Sequence, residues 1–157
     1  MSDNFQMHGK KPEIKVLSFE VIRPTEELQR DLFLMPHDFV YKIVRLRLFE
    51  GAPFMIETGY IPIKIVQKSR PDDYRRVDFF SLSGGVAQSG GDQILFLSIF
   101  FAEPSLPEDQ ELLHLKENEP VGIMEGIFFL DNGTPFEFSH MRFHYEYLKF
   151  NTFVSVH

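Results

Sequence analysis

Cysteine and tryptophan are both absent from the chain. The first absence excludes disulfides, thiolate metal sites and cysteine catalysis together, and it fits the cytoplasmic location we expect. Long apolar runs are missing too. The longest, Ile94 to Ala102, is interrupted by Ser98 and reads as a buried strand, not a membrane span. No N-terminal stretch has the makeup of a signal peptide, and no membrane partner is expected. Basic charge is scarce: 16 Lys and Arg stand against 23 Asp and Glu, a net charge of −7. A surface of that sign repels a phosphate backbone. The basic groups that lie close together are Lys10 and Lys11 with Lys15, and Arg75 with Arg76, so this chain is not expected to bind DNA by itself.

What remains is a chain of 157 residues, 43% hydrophobic and 15% aromatic, with 18 Phe. That is one domain with one core, and its aromatic content leans toward sheet. Residues 1–11 are polar and aperiodic and read as a tail or linker remnant ahead of a domain over 12–157. Pro12–Arg23 alternates as a strand whose phase slips near Leu17, the mark of a bulge. Thr25 caps a helix that buries Leu28, Leu32 and Phe33, with Glu26 and Glu27 in its first turn and Pro36 as its stop. Phe39–Phe49 and Phe54–Ile61 form a hairpin about Glu50-Gly51-Ala52-Pro53.

The stretch Ile63–Gly91 is irregular, with one or two turns of helix expected over Arg76–Leu82. Its two Ser-Gly-Gly sequences, Ser83–Gly85 and Ser89–Gly91, read as turns. Neither is followed by the Lys-Ser/Thr pair that a phosphate loop requires. Gln93–Glu103 is a strand, Pro107–Leu115 a helix with proline in its first turn, and Pro120–Leu130 a strand. Asp131-Asn132-Gly133-Thr134 forms a tight hairpin turn, and Phe136–Phe150 is the last strand. The order β-α-β-β-(short α)-β-α-β-β, in two similar halves, predicts an α+β fold: an antiparallel sheet of about six strands with short helices on one face.

Arg45 and Arg47 are two apart on a strand and share a face. Two guanidinium groups there suit an anion, which each can hold by paired hydrogen bonds. With the turn at Glu50-Gly51-Ala52, Phe49 faces Pro53 and Arg45 faces Glu57, which would pin the arginine. Pattern alone allows the plainer reading of an exposed cross-strand ladder. After the second turn, Glu137 and Ser139 lead toward Arg142 and His144. His140 and His144 with Glu137 and Glu146 offer no third metal ligand in fixed register. Ser139, His140 and Glu137 stand too close in sequence to form a nucleophile triad. No metal and no cofactor are expected.

The two hairpins, "VYKIVRLRLFEGAPFMIETGYIP" and "ELLHLKENEPVGIMEGIFFLDNGTPFEFSHMRFHYEYLKF", resemble the UTRA domain, the effector-binding half of the HutC subfamily of GntR-type bacterial regulators. The likeness runs over roughly residues 12 to 153. It rests on an ordered set: Arg45 and Arg47, Ala52-Pro53, Glu57, Tyr60-Ile61-Pro62, Leu113 to Pro120-Val121, Gly133, Pro135 and Glu137. It implies a chorismate-lyase-like fold, a homodimer, a pocket for a small anionic metabolite, and a winged-helix DNA-binding domain upstream, absent from these residues, through which alone DNA would be reached.

The resemblance also points to Asp78, within "RRVDFF", where the family often has a Ser or Thr, and to Phe143 and Tyr145, where sugar-phosphate sensors carry Tyr-Arg-x-Asp. The expected effector-binding set is therefore Arg45, Arg47, Glu57, Asp78, Glu137, Ser139, Phe143 and Tyr145. The departures at Asp78 and at Phe143 to Glu146 leave a sugar phosphate, a carboxylate or a less charged ligand open. An enzyme similar to chorismate lyase and a ligand-free dimerisation module are the competing expectations.

Overall fold

The computed structural model describes residues 13–68, 95–149 and 153–156. Its centre is one six-stranded antiparallel sheet in the order β1-β2-β3-β6-β5-β4. The strands are β1 (Glu13–Ile22), β2 (Val40–Phe49), β3 (Ala52–Pro62), β4 (Leu95–Pro104), β5 (Pro120–Phe129) and β6 (Pro135–His144). The helices are α1 (Glu26–Leu32), α2 (Ile63–Lys68) and α3 (Pro107–Leu113), and a 3-10 turn covers Tyr145–Tyr147. The expected α+β architecture is what forms. The bulge anticipated near Leu17 is the register shift between Val16 and Ser18.

The halves repeat in detail. In α1 the Thr25 hydroxyl accepts from the Leu28 amide, and Phe33 ends the helix in the left-handed region at φ 54°. In α3 His114 ends the helix the same way at φ 56°. Leu34 N donates to Gln29 O, and Leu115 N to Gln110 O. The next turn is tied by Asp38 onto the Met35 amide in one half and by Glu119 onto the Lys116 amide in the other. Left-handed closure thus stops α1 three residues before Pro36, and it swings Phe33 out to 71% exposure, while Leu28 and Leu32 are buried as expected.

Register and burial divide the sheet into two faces. On one face α1 packs Leu28, Leu32 and Leu34 against Val40, with Tyr60, Ile127 and Phe138 alongside. On that same face α3 packs Leu113 and Leu115 against Leu46, Ile56, Val121 and Ile123. The opposite face carries Met55, Met124, Phe128, Met141 and Phe143, joined by Ile65 of α2 and by Tyr147 and Leu148 after the 3-10 turn.

Several local readings change. Ile63–Lys68, read as irregular, is helical because Ile65 docks on the second face. The primed hairpin turn lies at Glu50 and Gly51, both with positive φ, so Phe49 pairs with Ala52, not Pro53. A bulge after Arg47 then restores Arg45 opposite Glu57. At the second hairpin Gly133 alone takes positive φ, and a shift between Phe128 and Phe129 makes it a bulged turn rather than a two-residue one. The last strand stops at His144, whose ring accepts from the Glu146 amide and starts the 3-10 turn. The expected helix over 76–82 and both Ser-Gly-Gly sequences lie outside the described residues.

Candidate functional site

Arg45 and Arg47 of β2 project on the second face, beside Glu57 of β3. The two guanidinium groups converge on one carboxylate oxygen: Arg45 Nη1 donates to Glu57 Oε1 at 3.1 Å and Arg47 Nη2 to the same atom at 3.0 Å. This is no solvated ladder. The Arg47 and Glu57 side chains are 1% and 2% exposed, and only Arg45, at 24%, reaches toward solvent. Burying ions in this way costs several kcal/mol of desolvation per charge.

Ser139 and Glu137 of β6 project on the same face. Ser139 pairs with Gly59 of β3 and with Gly126 of β5. Glycine at position 59 leaves room for the Glu137 side chain, since a Cβ there would lie 2.7 Å from Glu137 Oε1 and push the carboxylate aside. The Glu137 carboxylate therefore crosses the bare backbone of β3, two residues from Glu57. Among the described residues, Glu57 Oε2 and Ser139 Oγ are buried and accept or donate no hydrogen bond. Buried polar atoms are almost always paired, so two such atoms on one face, beside an arginine pair, single out this cluster as the candidate site.

The other residues expected at the site separate. Phe143 shares the face with the polar group but is fully buried in the apolar cluster with Met55, Met141 and Phe128. Tyr145 does not join the group. Because β6 ends at His144, the strand alternation that would align Tyr145 with Phe143 no longer applies, and its hydroxyl bonds to Glu119 and Glu146. Asp78 lies outside the described residues. Gly59, which lets Glu137 lie flat, was not anticipated; its signal is a lone glycine inside a strand pattern. Ser139 and His140 are adjacent and project to opposite faces, so they form no nucleophile pair. His140 instead bonds Glu125 at 2.6 Å on the helix-covered face. Among the described residues no three acidic or histidine groups gather to hold a metal.

The Tyr145–Glu119 bond gives a pH signature. It holds the Glu119 carboxyl below its ordinary value, and the phenol is pushed up to about 12, first by that hydrogen bond. The raised phenol favours the fold below its ordinary pKa and loses that contribution as pH climbs through its shifted value. The lowered carboxyl contributes above its ordinary pKa and fades in acid. An NMR titration of the tyrosine ζ-carbons should show one phenol titrating last, and Glu119→Gln should return it toward about 10.

The model of the UTRA domain family matches residues 7–149. Over 139 residues the chain is 33% identical to HTH-type transcriptional regulator GmuR of Bacillus subtilis (strain 168), a match spanning 87% of this chain and 56% of that protein. The chain spans about half the length of the curated relatives it matches. Among solved structures, it superposes on the effector binding domain of the B. subtilis trehalose repressor (TreR) with TM-score 0.68 and 21% identity, covering 92% of this chain and 98% of that one. It superposes on the effector domain of PhnF from Mycobacterium smegmatis with TM-score 0.75 and 12% identity, covering 99% and 94%. At those identities the likeness is one of fold.

Proposed function

The chain belongs to the UTRA domain family, and from that premise we propose that it is the effector-sensing and dimerising domain of a GntR-type transcription regulator, with a regulatory and not a catalytic role. It takes up a small anionic metabolite, a sugar phosphate or carboxylate, at Arg45, Arg47, Glu57, Glu137 and Ser139, above Phe143. It acts in the cytoplasm and reaches DNA through a winged-helix domain N-terminal to these residues. The curated relatives support that last point: they carry helix-turn-helix names and extend well beyond the matched region. A homodimer would use the sheet edge, where β1 exposes Ile14, Val16, Phe19 and Val21.

The observation that carries this reading is the buried Arg45–Glu57–Arg47 group beside two polar atoms that have no hydrogen-bond partner among the described residues. A buried ion cluster of this kind adds little net stability, so ligand recognition is the better reason for its presence. The one oxygen that both arginines share leaves further N–H donors on Arg45, which alone of the three is partly solvated. Coupling of only about 1–3 kcal/mol between effector and DNA site would suffice for regulation.

A thermal-shift screen with sugar phosphates, carboxylates and amino acids tests the reading. One class should raise the melting temperature of the wild-type chain. Arg45→Ala should abolish that rise while the melting temperature without ligand stays near the wild-type value, because Glu57 keeps Arg47. An unchanged rise in Arg45→Ala would remove the site assignment. The same samples should release no pyruvate from chorismate.

A further inference from the structure

The turn after α1 is more apolar than the fold needs. The turn after α3 is tied the same way, by Glu119 on the Lys116 amide where the first has Asp38 on the Met35 amide. Yet His114, Lys116 and Glu117 stand in the second half where Phe33, Met35 and Pro36 stand in the first. Phe33 and Met35 are more than half exposed, and Phe39 is exposed as well. Beside them Arg23, Pro36, His37 and Phe39 line an open, almost wholly apolar cavity of about 290 Å³. The Arg23 guanidinium lies 5.9 Å from the centroid of the Phe39 ring and braces that wall. The cavity sits at the end of the edge strand β1, next to its exposed Phe19 and Val21.

The chain also carries an uncovered apolar segment. Phe153, Val154 and Val156 are all exposed, Phe153 to 93%. Its own Phe153 cannot reach the cavity. Leu148 lies over Gly122, which shares a cross-strand row with Phe143, Met55, Arg47 and Ile14. That row is at the opposite end of β1 from Arg23 and four strands away, a separation of about 30 Å. The five residues from Leu148 to Phe153 span at most about 17 Å.

We infer that the cavity at Arg23, Pro36, His37 and Phe39 receives Phe153 of a second copy of this chain, and that two copies exchange these rings about a two-fold axis. The inference rests on the dimer reading proposed above and adds to it the residues that hold the contact. One exchange covers both of the apolar features that a single copy leaves in water, and an apolar cavity of about 150 Å³ is already enough for a benzene ring.

The absence of cysteine makes the contact testable by cross-linking. His37→Cys and Phe153→Cys, both at exposed positions, are made in separate chains. One is labelled with nitrogen-15, and the two are mixed and oxidised. Intact mass should show the mixed disulfide dimer well above the half that random pairing would give. In sedimentation equilibrium, Phe153→Ser should raise the dimer dissociation constant by at least about tenfold. Phe153→Leu, which keeps an apolar anchor, should raise it less. Disulfide products in the random ratio, or a dissociation constant unmoved by Phe153→Ser, overturn the inference. If the wild-type chain still dimerises in that case, the dimer reading stands and its contact lies elsewhere. A wild-type chain that stays monomeric at every concentration removes both.

Discussion

Arg47→Ala is expected to lose about 3–5 kcal/mol of folding stability, more than any other single change at the site. The reason is what it leaves behind. Glu57 is 2% exposed, and without Arg47 its charge keeps only Arg45, which is partly solvated and bound through one nitrogen. A lone buried carboxylate must then draw in water or a proton. Met55 and Met141, on the same face beside it, are themselves fully buried. Chemical denaturation at neutral pH measures the loss. The informative control removes both charges: Arg47→Met with Glu57→Leu should recover most of the stability, because apolar residues of similar volume replace buried ion pairs at little cost. It should still fail to respond to any effector that stabilises the wild-type chain. Recovery of stability without recovery of binding would separate the fold's needs from those of the site.

Asp109→Ala comes next, with an expected loss of about 2–4 kcal/mol. Asp109 does two jobs. Its Oδ2 accepts from the Leu106 amide at 2.8 Å and so begins α3. Both its oxygens are gripped by Arg142 of β6, Nε to Oδ1 at 2.8 Å and Nη2 to Oδ2 at 2.7 Å. That pair sits largely out of solvent, with Asp109 at 3% and Arg142 at 13% exposure. Glu103 also reaches Arg142, at 3.3 Å, which is why the loss should fall short of that at Arg47. The other half of the molecule shows the alternative. At the place in α1 that Asp109 holds in α3, just before the matching glutamines Gln29 and Gln110, stands the buried Leu28. Asp109→Asn, which can keep the capping bond, should therefore be milder than Asp109→Ala. Paired replacement of Asp109 and Arg142 by leucine should be close to neutral, less the cap. Melting curves of these variants beside the wild-type chain distinguish the cap from the ion pair.

Much of this was legible in the sequence because period-2 alternation records which residues share a face. Arg45, Arg47 and Glu57 could be placed together from a strand, a turn and a strand. The pairing of Arg45 with Glu57 survived a wrong turn assignment because the bulge after Arg47 compensated for it. Glu137 and Ser139 followed from the same alternation. Tyr145 was misplaced because an aromatic-rich run reads as continuous strand, while the chain leaves the sheet at His144 through a side-chain cap that alternation does not encode. The depth of the site was also hidden. An Arg-x-Arg pair looks the same in sequence whether it faces solvent or the interior, and the tertiary burial by Met55, Met141 and Phe143 decides between them. Gly59 escaped notice for a related reason: a lone glycine inside a strand is its only local signal, and the side chain it makes room for, Glu137, comes from a neighbouring strand.

The most direct measurement is a crystal structure of the chain soaked with whichever compound gives the largest thermal shift. The compound should lie on the sheet face opposite α1 and α3, within hydrogen-bond distance of Ser139 Oγ and Glu57 Oε2, with its negative group against Arg45. A compound found on the helix-covered face, or one that leaves both of those atoms untouched, would contradict the assignment of this cluster as the effector site.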